Sequence, residues 1–174
     1  LDLLCMLQMT PKIVILTNDW VWRNPIYGAI IRYAEFYPVK DGYEALLPKL
    51  RSLVDRGYSI VVFHEGTRSE DGEIGRYHKG AFLLAQQLKV DLMPVLIHGA
   101  THVMPKRDLV LREGQLTVEV KERVGYDSFA DKDTLLLAKE MRALMKAQLE
   151  EIRLRIEDER YWMPFVQSQY IYKG

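Results

Sequence analysis

The sequence predicts an α/β fold, a three-layer sandwich in which a central, mostly parallel sheet lies between helices and a long C-terminal helix closes the domain. Three observations carry this. Strand-like and helix-like segments alternate along the chain, the pattern of a sheet wound with crossover helices. The strand candidates are short, continuous apolar runs such as Lys12 to Leu16 and Ser59 to Phe63, suited to strands covered on both faces. A last segment, Asp131 to Glu159, repeats apolar residues at spacings of three and four.

In order, Leu1 to Met9 reads as the tail of a helix, and Pro11 punctuates it. Lys12 to Leu16 is a β-branched buried strand. Asn24-Pro25 places proline at a helix start, so Ile26 to Tyr33 reads as a short helix. Phe36 to Val39 is a second strand. Leu46, Leu47, Leu50, Leu53 and Val54 recur at helical spacing, with Pro48 expected in the first turn and Gly57 as the stop. Ser59 to Phe63 is expected in the middle of the sheet. A polar loop from His64 to His78 leads to a helix from Lys79 to Leu88, with Phe82, Leu83, Ala85 and Leu88 apolar. Leu92 to Ile97 is another buried run, and Pro94 removes one ladder donor. Gln115 to Val124 alternates, which points Leu116, Val118 and Val120 inward. The last helix presents Leu137, Met141, Leu144, Gln148, Ile152 and Ile156 as its stripe, and Lys, Arg and Glu elsewhere. The expected division is a domain over 1–130, a long amphipathic helix over 131–160 that packs on or extends from it, and an aromatic segment over 161–174.

Composition narrows the function. The 174 residues suffice for one self-stabilised core. The 24 basic and 24 acidic side chains cancel, which argues against a nucleic-acid binder. Cys5 has no partner for an internal disulfide and suggests a reducing compartment. No apolar run is long enough to span a bilayer.

In an open parallel sheet, ligands bind beyond the carboxyl ends of strands. The loop after Phe63 reads His64-Glu65-Gly66-Thr67-Arg68-Ser69, and its chemistry suits an anion. Gly66 permits a tight turn with N–H groups exposed, Thr67 and Ser69 add hydroxyls, and Arg68 offers a fork matched to phosphate. Glu65 either accepts backbone N–H groups and fixes the loop or pairs with Arg68. Arg76, His78 and Lys79 add cations at the start of the next helix. A solvated turn with a surface ion pair is the plainer alternative.

Phe63 to Ser69 resembles the Phe-Pro-Glu-Gly-Thr-Arg-Ser block of the glycerolipid acyltransferases, the family of 1-acyl-glycerol-3-phosphate acyltransferases. Lys79-Gly80-Ala81 with Ala85 is similar to the helix after that block, and Met93-Pro94-Val95 with Ile97 and Gly99 to the family's final block. Phe36-Tyr37-Pro38-Val39 resembles an earlier block that ends in Asp-Arg, replaced here by Lys40-Asp41. His64 stands where the family has proline; it either tunes the loop's charge or fills space. The family's catalytic motif is a histidine, four residues and an aspartate. Asp2 fits the aspartate, and the histidine would fall upstream of Leu1.

The resemblance implies the glycerol-3-phosphate acyltransferase-like sandwich and transfer of a fatty acyl group from an acyl thioester to the hydroxyl of a lysophospholipid. It implies Asp2 as the partner of the missing base, and Glu65, Gly66, Thr67, Arg68, Lys79 and Lys40 around the acceptor's phosphate. No cofactor is expected beyond the co-substrate, acyl-CoA or acyl carrier protein, and no metal. A membrane surface is an expected partner, at the cytoplasmic inner face. Without its histidine the chain is expected to bind phosphate weakly and to catalyse nothing. A lyso-amino-lipid acceptor and a non-catalytic lipid-binding module are the alternatives.

Among other candidates, Trp20, Trp22 and Tyr27 belong to an aromatic stretch that reads equally as an acyl-chain groove, an interfacial patch or core packing. His98 and His102 read as loop histidines, because Gly99 disfavours a helix that would align them for a metal. Cys5 reads as a small buried hydrophobe. Tyr161 to Phe165 is too aromatic for a free tail; it either docks back, pairs with another copy or enters a further domain.

Overall fold

The structure, a computed structural model, describes residues 2–8, 12–17, 36–38, 46–67, 69–106, 111–157 and 161. The expected helix over Ile26–Tyr33 lies outside them.

Helix α1 covers Asp2–Leu7 and strand β1 covers Ile13–Thr17. Ile13, Val14, Ile15 and Leu16 are all buried, so this stretch of β1 is covered on both faces. It is the middle strand of a parallel sheet. It pairs with β2, Phe36–Pro38, through Ile15 opposite Phe36. On its other edge it pairs with β3, Ser59–Val62, in a register that sets Ile13 opposite Ser59 and Leu16 opposite Val62. The expectation that β3 is the central strand is therefore wrong. Its residues are half-buried to exposed, and β1, with four consecutive buried side chains, takes the centre.

Helix α2 spans Leu47–Asp55 with Pro48 in its first turn, where the missing N–H has no helical partner to lose. Its end is closed by the N–H of Gly57 to Val54 O (2.8 Å) and of Tyr58 to Leu53 O (3.0 Å). Helix α3 spans Gly80–Leu88. Leu84 is buried and Leu83 faces water, the reverse of the expectation for Leu83. Leu84 and Leu88 pack with Val14, Leu16, Leu50 and Leu53 in one core, while Phe82 and Ala85 belong to a second. Because α3 contributes to both cores, the end of the loop that leads into it is fixed.

The second core is built from α5, Thr134–Ile156. Asp133 caps it by accepting the N–H of Leu136 at 2.9 Å. Leu137, Ala138, Met141, Met145, Leu149 and Ile152 pack against Ile74, Tyr77, Phe82, Leu96 and Phe129. The stripe therefore runs through Met145 and Leu149; Leu144 is exposed and Gln148 lies at the margin. Each fully buried aliphatic side chain in such a cluster contributes about 1.5–3 kcal/mol.

Strand β4, Val95–His98, and β5, Thr117–Val120, form an antiparallel ladder with Val95 opposite Val120 and His98 opposite Thr117. The alternation in β5 is read correctly but its facing is not. Val118 and Val120 are exposed, whereas Thr117 and Glu119 are half-buried. Half-buried Glu119 is met by two cations, Lys121 at 2.7 Å and Arg155 of α5. Between the strands, Ala100–Val103 forms a one-turn helix, α4, against the expectation of a loop. Gly99 makes that turn possible with φ 90°, a left-handed conformation that L side chains rarely adopt.

Candidate active site

The polar loop begins at the carboxyl end of β3. Gly66, at φ 68°, turns the chain and donates its N–H to Phe63 O at 3.1 Å. The two ends of the loop are tied by the N–H of His78 to His64 O at 2.8 Å. Of the two sequence-based roles for Glu65, fixing the loop is the one seen: its Oε2 accepts the N–H of Gly75 at 2.8 Å. A Cβ on residue 75 would stand 3.1 Å from that oxygen, so glycine keeps the approach close.

Burial pushes the Glu65 carboxyl upward, and the negative charge of Asp2 adds to the rise; the Gly75 N–H and the Arg142 guanidinium act in the opposite direction. Asp2, in the first turn of α1, is thus within electrostatic reach of the loop after β3, although 63 positions separate it from Glu65 in the sequence. The same carboxylate raises the Cys5 thiol, after burial as the larger cause.

A cavity of about 580 Å³ opens over the loop. Glu65, Thr67, Arg76, His78, Arg142 and Lys146 are among its lining residues. Asp71 lines it too, held below the usual carboxylate range by the N–H of Glu73 (3.0 Å) and the Ser69 hydroxyl (2.8 Å). Lys79 does not line it. It precedes α3, its carbonyl accepts the N–H of Leu83 at 3.0 Å, and its side chain is exposed. Arg68, Lys40, Trp20, Trp22 and Tyr27 lie outside the described residues.

His64 fills space. Its ring meets Tyr77 edge-on at 3.9 Å between centroids and Phe82 at 6.0 Å. Burial lowers its pKa, which favours the neutral ring, and its Nδ1 lies 3.4 Å from Val62 O.

Arg142 and Lys146 escaped sequence reading. Each follows a buried methionine, Met141 or Met145, and so sits at the edge of the α5 stripe; that position is the only signal the sequence offers. Arg142 donates Nε to Gly75 O (2.6 Å) and a terminal N–H to Ile74 O (3.2 Å).

A smaller cavity of about 210 Å³ lies past β4 and contains His98, His102, Arg153 and Glu157. His98 is the last residue of β4 and His102 lies in α4, so neither is a loop histidine. His98 Nε2 is 2.8 Å from Glu157 Oε1, and its ring stacks on Tyr161 at 5.5 Å. Tyr161 thus packs back onto the domain. Among the described residues no group of three or more His, Cys, Asp or Glu is placed to hold a metal.

The cavity over the strand-to-helix loop, with Arg76, His78, Arg142 and Lys146 in its lining, is the candidate place for an anionic substrate in this α/β fold. A family model described as Acyltransferase matches residues 1–98, and the chain belongs to that family. A chloroplastic 1-acyl-sn-glycerol-3-phosphate acyltransferase, BAT2 of Brassica napus, is 29% identical over 136 residues, covering 75% of this chain and 39% of the relative. The human 1-acyl-sn-glycerol-3-phosphate acyltransferase alpha is 25% identical over 158 residues, covering 87% of this chain and 56% of its own. The crystal structure of the 1-acyl-sn-glycerophosphate acyltransferase PlsC from Thermotoga maritima superposes with a TM-score of 0.72 at 23% identity, over 90% of this chain and 64% of that one. That likeness establishes the fold. The chain spans about 39% to 56% of the length of these two curated relatives.

Proposed function

We propose that this chain carries the acceptor side of an acyl-transfer site, in a protein that moves a fatty acyl group from an acyl thioester to the free hydroxyl of a lysophospholipid such as 1-acyl-glycerol-3-phosphate. The observation that carries the proposal is the cavity over the Glu65 loop, lined by Thr67, Arg76, His78 and Arg142, within a chain of the acyltransferase family.

A free hydroxyl is a poor nucleophile at neutral pH and needs a base beside it. In the family's pattern the base is a histidine on the N-terminal side of the aspartate. Asp2 would orient that ring and stabilise it once protonated. The acceptor oxygen attacks the thioester carbonyl, its proton passes to the base, and the thiol leaves with a proton returned to it. Thr67, Arg68 and Arg76 would hold the acceptor's phosphate, with Lys79 and Lys40 contributing long-range positive charge. Holding the hydroxyl next to the base converts a bimolecular step into a local one, which is where most of the rate gain arises. As a carboxylate, Glu65 accepts rather than donates, and its part is to hold the loop in shape.

The donor is acyl-CoA or acyl carrier protein, and no further cofactor is required. The substrate is an amphiphile, so we place the protein at a membrane surface. No described helix is long and apolar enough to cross a membrane. The experiment is acyl transfer by the full-length protein to 1-acyl-glycerol-3-phosphate, to a lyso-amino-lipid and to a neutral monoacylglycerol. Preference for the phosphate acceptor supports the proposal. Equal or greater use of the carboxylate acceptor would replace it with the amino-lipid reading, and binding without transfer would replace it with the binding-module reading.

A further inference from the structure

The family model ends at residue 98, yet the loop over the cavity is held from α5, beyond that boundary. Arg142 places its guanidinium across two consecutive carbonyls, Gly75 O at 2.6 Å and Ile74 O at 3.2 Å. The N–H of that same Gly75 is donated to Glu65 Oε2 at 2.8 Å. The chain of contacts therefore runs from the long helix, through one peptide, to the acidic residue of the anion loop. Eleven residues further along α5, Arg153 grips the same segment, donating to Gly72 O at 3.2 Å and to Glu73 at 2.6 Å. Both anchors bind residues 72–75, but only Arg142 also lines the large cavity, and only its contacts reach Glu65.

Resting on the proposed acyl transfer, we propose that Arg142 is a positioning residue for that reaction, holding the Glu65 loop in its anion-binding shape through Gly75. A planar fork on two carbonyls fixes the direction of a peptide as well as its distance, which a lysine cannot do. Arg142 also supplies positive charge to a carboxylate that burial and Asp2 disfavour. Among the described residues, the charges that act on Glu65 are Asp2 from α1 and Arg142 from α5, with Lys146 of α5 and Arg76 and His78 of the loop lining the same cavity; Tyr77 is raised by burial and then by Glu65.

The test compares Arg142→Gln and Arg142→Lys in the full-length protein, each corrected for folded fraction. Both lose the fork, so both should raise the acceptor KM with little change in the thioester KM, roughly tenfold or more given how steeply transfer depends on placement. Only Arg142→Gln also loses the charge, so only it should move the acid limb of kcat/KM and the Glu65 titration, followed by side-chain carboxyl NMR, to higher pH. A purely structural arginine would give equal losses of folded protein with both kinetics and titration unchanged per folded molecule, and that result overturns the proposal. Wild-type protein that transfers no acyl group would sink the function instead. The Glu65 titration and the hydrogen exchange of the Gly75 amide would then still decide whether Arg142 holds the loop: equal midpoints and exchange rates in wild type and Arg142→Gln would overturn it.

Discussion

Replacing Gly99 with alanine tests the junction between β4 and α4. A Cβ there would lie 2.1 Å from Gln115 O, 2.9 Å from the Tyr161 hydroxyl and 3.2 Å from the Gln115 carbonyl carbon, at a φ of +90°. Two costs combine. The left-handed backbone costs an L side chain about 1–2 kcal/mol. The clash is with backbone, which cannot rotate away as a side chain can, so relieving it shifts the segment before β5 by about 1 Å, at roughly 1–3 kcal/mol as for other overpacking. The sum is about 2–5 kcal/mol, a large part of the roughly 5–15 kcal/mol that holds a domain folded. At about 2–4 °C per kcal/mol for a chain of this size, the melting temperature should fall by roughly 10 °C. Gly125 is the matched control, since a Cβ there meets nothing within 4 Å and its φ is −65°. Gly125→Ala should change stability by no more than about 1 kcal/mol and is as apt to raise it. Thermal unfolding followed by circular dichroism reads both. Equal melting temperatures for the two variants would refute the close approach at Gly99.

Leu50→Ala removes a side chain with 0% exposure from the core shared by β1, α2 and α3 and should cost about 3–5 kcal/mol by chemical denaturation. The histidines give a pH dependence of definite sign. Burial lowers the His64 pKa, so below about pH 6.5 the unfolded chain takes up a proton that the native ring resists, and stability falls as pH falls from there. His98 and His102 are lowered by burial as well and act in the same direction. His64→Gln should therefore flatten the loss between pH 6.5 and 5 by up to about 1.4 kcal/mol per pH unit, measured as denaturation free energy against pH. An unchanged slope would mean that His64 titrates freely in the native state.

The order of elements was legible in the sequence because apolar runs and periodic stripes encode it locally. Pro48 in the first turn of α2 follows from such a pattern, as does the burial of Phe82, Ala85 and Leu88 in α3. The facing of β5 was not legible, since Arg155, which meets Glu119, lies 36 positions away in the sequence. The central place of β1 was hidden for a similar reason: Ile13–Leu16 and Ser59–Val62 look alike as runs, and only pairing distinguishes them. In the site, the loop singled out from residue types is the one whose Glu65 and Thr67 line the cavity. The approach of Asp2 came only through the resemblance to the family. Arg142 was hidden, since its partners are backbone carbonyls 67 and 68 positions away that have no residue signature.

The most direct measurement is steady-state acyl transfer by Arg68→Ala in the full-length protein, with the KM of each substrate determined separately. Loss of a guanidinium that grips phosphate should raise the lysophosphatidate KM by about tenfold or more and leave the thioester KM within about twofold. Parallel rises in both, or no rise in either, would contradict a phosphate pocket at the end of β3.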